Sequence, residues 1–146
     1  MKALWQRAGT CVAVSAALFA FLFVSVSLNK AYLRPAFAAG TILATLSGSY
    51  SNFIAAWTMG VSPACPVLTR GFSFRRGTAV VAAAAVGAFA ILTIEELTSV
   101  FGVSDVRDVH DVAASALGSS CAVLTFLVLR RIALRRRRQP MPQSTS

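Results

Sequence analysis

All five side-chain carboxylates of the chain, Glu95, Glu96, Asp105, Asp108 and Asp111, and its single histidine, His110, fall inside one window of 17 residues, although the chain has 14 Lys and Arg, all but Arg107 outside that window. Gathered carboxylates can serve as acid/base groups or as ligands for a divalent cation. Their spacing favours one subset. Asp108, Asp111, Ser115 and Gly118 recur at i, i+3, i+7 and i+10, which places all four on one stripe of a helix. Asp108 would also serve as a helix cap with Asp111 at the third position, where a carboxylate faces the positive end of the helix dipole. Asp111 points along the stripe toward Ser115, where a polar pocket between helices could form.

A metal centre is less well supported. Asp105, Asp108, His110, Asp111 and the two glutamates offer suitable donors, but His110 neighbours Asp111 and so leaves any helix on another face, and no second histidine is present to fix a zinc ion. His110 reads as a solvated loop residue, and no metal or other cofactor is expected. The chain has no nucleophile with a positioned base, no glycine-rich phosphate loop and no C-x-x-C. Cys11, Cys65 and Cys121 lie in or beside apolar blocks and read as small buried residues rather than disulfides.

The elements that must position these groups follow from composition. With 56% hydrophobic and 13% charged residues and a mean hydropathy of +0.68, the chain is a membrane protein. Thr10 to Leu28 is an uncharged first span; the competing reading, a secretory signal cut after the "AFA" at 36 to 38, requires a shorter apolar run. Ala36 to Leu68 holds one span. Its helix either runs from about Ala36 to Gly60, or starts near Asn52 after an interfacial segment, because "GSYSN" interrupts the block. Gly77 to Ile94 and Val112 to Leu129 are the third and fourth. Small residues at Ala79, Ala83 and Gly87, and at Ala114 and Gly118, would let these two pack closely.

The fold class is therefore all-α, a polytopic membrane protein with four transmembrane helices over residues 1–131 and a basic, disordered tail over 132–146. Placing Lys2, Arg7, Arg70, Arg75, Arg76, Arg130, Arg131 and Arg135 to Arg138 inside accounts for 11 of the 14 basic residues, so both termini are cytoplasmic. The acidic window then joins spans three and four on the outer side. Glu95 and Glu96 arrive at the end of the third span, where a carboxylate is tolerable if it lies near the interface or turns toward a polar interior. If Glu95 and Asp111 approach each other they repel, unless a proton, a cation or Arg107 lies between them. The terminal arginines read as an anchor to anionic lipid, with no nucleic-acid partner.

"E-x-x-T" at Glu95 to Thr98, followed by "D-x-x-D-x-x-x-S-x-x-G" at Asp108 to Gly118, resembles the signature of VanZ-like membrane proteins. That family usually has Gln where Thr98 stands and Asn where Ser115 stands, and its arginine lies farther from the Asp pair than Arg107 does. Upstream, "GSYSNFIAA" from Gly48 to Ala56 is similar to the "G-S-x-x-N-F-x-A-A" of small bacterial members. The resemblance covers about residues 48–129. It implies a site built from Glu95, Thr98, Arg107, Asp108, Asp111 and Ser115, joined by Asn52, in a multi-pass protein of the bacterial cytoplasmic (inner) membrane. The expected function is non-enzymatic binding of an envelope component or another membrane protein, with membrane lipids as the surroundings. The alternative is an enzyme acting on a lipid or envelope precursor through Glu95, Asp108 and Asp111.

Overall fold

The computed structural model describes residues 2–98 and 109–138. Among these the secondary structure is helical throughout. The first apolar block forms α1, Lys2–Leu28, which continues through a wide π turn, Asn29–Leu33, into the short α2, Arg34–Ala36. Pro35 explains the widening. It has no N–H to offer the carbonyl four residues back and its ring crowds that carbonyl, and the Arg34 N–H donates to Asn29 O, five residues back. The chain then turns at Gly40, whose φ of +84° suits glycine. Thr41, in extended conformation, starts the next helix, and its Oγ1 accepts from the Ala44 N–H at 3.2 Å.

That helix, α3, spans Ile42–Val61. The expected end near Gly60 agrees with this, but neither expected start does: the break falls at residues 37–41, and "GSYSN" lies within the helix. Ser47 and Ser49 are buried against protein, and Ser47 finds a partner there, its hydroxyl donating to Asn29 Oδ1. Pro63 caps the short α4, Ala64–Thr69, and Gly71, with φ +69°, turns the chain into α5, Phe74–Thr98. The last helix, α6, spans Val109–Arg138. It continues well past residue 131, so the first part of the basic tail expected to be disordered is helical.

Three helical stretches are long and apolar enough to cross a membrane: Ala8–Ala36, Phe74–Thr98 and Val109–Arg135. None of the apolar window of the first is buried inside the protein, against 22% and 33% for the other two. The centre is α3, which packs most extensively on α6 and then on α5. Small residues permit this. A Cβ at Gly60 would lie 2.8 Å from Ala122 Cβ and 3.2 Å from Ala85 Cα, so three helices meet there with almost no side chain between them. Around that crossing Val61, Ala64, Val67, Val81, Ala122 and Phe126 form the apolar core.

The small-residue rows differ from the expected ones. On α5 the buried positions are Gly77, Val81, Ala85 and Ala88, while Ala79 and Ala83 are exposed and Gly87 has open space before it. On α6, Gly118 faces α3 rather than α5, and a Cβ there would run into the Phe53 carbonyl and Ala56. Periodicity alone identifies the rows but not which neighbour each one meets.

α1 is attached at three points. Near its start Cys11 meets Cys65 of α4, in its middle Phe21 stands edge-on to Trp57 at 6.4 Å between ring centres, and at its end Asn29 meets Ser47. The last pair is reciprocal: Asn29 Nδ2 donates to Ser47 O at 2.7 Å, and Ser47 Oγ donates to Asn29 Oδ1 at 2.9 Å. These contacts run in opposite directions along the chain, so α1 and α3 are antiparallel.

Candidate functional site

The C-terminal end of α5 and the N-terminal end of α6 lie at one end of the bundle, beside the first half of α3. Three elements bring the expected site residues to this end. Asp111 occupies the first turn of α6, where the helix dipole favours its charge. Ser115 follows one turn later, is 1% exposed, and donates its hydroxyl to Asp111 O at 2.9 Å, so it binds the backbone carbonyl and not the carboxylate. Gly118 then allows the backbone of α6 to touch that of α3 at Phe53; Asn52, the preceding residue of α3, is half-buried.

On α5 the sequence singles out Glu95, yet Glu96 is the more enclosed carboxylate, at 9% exposed against a half-buried Glu95. The signal was available. Glu96 continues the buried stripe of Gly77, Val81, Ala85 and Ala88 at helical spacing, so it must face the bundle. Thr98 does not join the site: it is exposed, and its hydroxyl donates to Ile94 O within its own helix. Asp105, Arg107 and Asp108 lie outside the described residues, as does any bridge from Arg107 to Glu95 and Asp111. His110 belongs to the first turn of α6 rather than to a loop, and is exposed.

The polar character of this region is under-satisfied. Buried oxygens of Ser49 on α3, Thr93 and Glu95 on α5, and Asp111 and Ser119 on α6 have no hydrogen-bond partner among the described residues. Buried polar atoms of folded proteins nearly always have one, because leaving such a group dry and unpaired costs on the order of 1–3 kcal/mol. The electrostatics point the same way. Glu95 occupies the end of α5, where the helix dipole is negative and no basic residue of α5 lies in the last turn.

Ser119 opens onto a groove of about 280 Å³ between α5 and α6, lined mostly by Ala85, Val86, Phe89 and Val123. The arrangement can accept hydrogen bonds or hold positive charge at its polar end while offering apolar surface below. Among the described residues no three His, Cys, Asp or Glu side chains are grouped so as to hold a metal ion. Comparison with protein-family models, with curated proteins and with solved structures returned no match.

Proposed function

We propose that this chain is a four-span protein of a bacterial cytoplasmic membrane, VanZ-like in kind and non-enzymatic, which binds a component of the cell envelope at the polar end of α3, α5 and α6. The reading counts α3 as the second span, since its 20 residues at ~1.5 Å each reach about 30 Å, the thickness of a hydrocarbon core. It places both termini inside, on the distribution of Lys and Arg. The observation that carries it is the pair of buried carboxylate oxygens, of Glu95 and Asp111, that have no hydrogen-bond partner among the described residues; unpartnered hydroxyls also occur away from this end, at Thr58 and Thr78, so the carboxylates single it out. Such a site suits a ligand bearing N–H donors or positive charge, which would supply the missing hydrogen bonds.

Native mass spectrometry of the detergent-extracted protein tests this. The wild type is expected to carry a bound envelope component that the Glu95→Gln, Asp111→Asn double variant loses, with the melting temperatures of the two within a few degrees. Identical adducts on both proteins, or none on either, would overturn the reading.

A further inference from the structure

At the opposite end of the bundle α1 rests on α4 through three polar side chains. Cys11 Sγ and Cys65 Sγ are 2.7 Å apart, and Thr69 Oγ1 lies 3.5 Å from Cys11 Sγ. The local sequence produces this meeting. Ala64 and Val67 turn into the core, which leaves Cys65, Leu68 and Thr69, at i, i+3 and i+4, on the face toward α1. On α1, Cys11, Val14 and Leu18 follow at i, i+3 and i+7 and supply the opposing wall. Thr69 is itself fixed, its hydroxyl donating to Cys65 O at 2.9 Å.

Two non-bonded carbon atoms settle ~3.5–4.0 Å apart, and sulfur is larger, so a 2.7 Å approach is far inside ordinary contact. A metal ion held by both thiolates at ~2.3 Å each would keep the sulfurs well apart from one another. Both are free thiols in the structure, and a disulfide, whose S–S bond is ~2.05 Å, needs only a small further approach of the two sulfurs. We propose that Cys11 and Cys65 are an oxidation-closable clasp, an intramolecular disulfide site that ties α1 to α4.

Closure by thiol–disulfide exchange is balanced with a low-molecular-weight disulfide as the oxidant. One sulfur of the pair attacks that disulfide and expels one thiolate; the second sulfur then attacks the mixed disulfide and expels the other. The two protein thiols give up two electrons and two protons, and the oxidant becomes two thiols. Burial pushes the Cys65 thiol up to about 11, with the Cys11 thiol beside it adding to the shift, so in the reduced protein Cys65 keeps its proton at neutral pH.

The clasp also bounds an apolar cavity of about 370 Å³, whose walls include Val14, Leu18, Trp57 and Leu68 as well as Cys65 and Thr69. Closing the bond fixes the wall that α1 contributes. Cys121, on α6, is apart from this cluster and serves as an internal control. The proposed orientation places this end on the cytoplasmic side, where thiols are kept reduced, so the clasp would stand open until an oxidant closes it.

The test is thiol counting on the full chain in detergent. Protein treated with reductant or with oxidised glutathione is acid-quenched, denatured and labelled with a maleimide of known mass. Reduced wild type should take three labels and oxidised wild type one; Cys121→Ser should fall from two labels to none, and Cys11→Ser should keep two under both conditions. Peptide mapping should place the bond between Cys11 and Cys65. Three labels on the oxidised wild type, a bond to Cys121, or a disulfide-linked dimer in place of the internal bond would overturn the proposal.

Discussion

Single atoms decide how closely these helices approach, and Gly118 is the clearest case. A methyl group there would meet the Phe53 carbonyl, which belongs to the backbone and cannot rotate away, and Ala56 beside it. Gly118→Ala must therefore part α3 from α6, and overpacking of this kind costs ~1–3 kcal/mol. Gly87→Ala meets nothing within 4 Å and gains up to ~1 kcal/mol of helix propensity. Thermal unfolding in detergent should show the first variant several degrees below wild type and the second at or above it. Equal melting temperatures would show that the crossing at Phe53 is loose. Glu96 makes the same point from the polar side. Its type suggests a cost and its spacing suggests a face, and the two must be combined to find that it turns inward.

At the scale of elements, α1 is the helix with the least support. Its end is held by Asn29 and Ser47, both buried, in a pair that satisfies each side chain with the other. Removing either partner leaves a dry polar group behind, so Asn29→Ala and Ser47→Ala should each destabilise by ~1–3 kcal/mol. The double variant should lose much less than the two single losses added together, which a double-mutant cycle of detergent unfolding measures. Strict additivity would mean that the two residues act separately. Four of the long helices were legible from their apolar blocks. The start of α3 was not, because serine reads as a loop residue when its partner, here Asn29, lies 18 positions away in sequence. The π turn was equally hidden, since Pro35 announces a disturbance without saying whether the helix stops or widens.

For the whole molecule the main question is which way it lies in the bilayer. The proposed orientation predicts that reporter fusions after Arg76 and after Arg138 sit in the cytoplasm and that one inserted at Ser104 sits outside. A cytoplasmic reporter at Ser104 would turn the polar end inward and remove the envelope as its source of ligand. The candidate site was legible in part. Asp111, Ser115 and Gly118 share a stripe that any helix would produce, whereas Thr98 shares a face with Glu95 only in projection and in fact bonds to its own backbone. Buried oxygens on three separate helices with no partner among the described residues could not be foreseen, because burial of this kind comes only through tertiary packing.

The position of α3 bears on how such a chain would be assembled. The helix at the middle of the bundle is the long helix that does not qualify as a membrane-crossing segment by its own composition, whereas α5 and α6, which cover it, do. Its polar side chains are tolerable because protein surrounds them, and that protein is made later than α3 itself. During synthesis α3 would emerge when only α1 was present, without the surfaces that bury Ser49 and Thr58. On the proposed four-span reading, a nascent chain of this kind would not release its helices into lipid one at a time in the order of translation. α3 would wait at the insertion machinery, or at the membrane surface, until α5 and α6 arrive, so that the last helix to be made would determine when the second can settle.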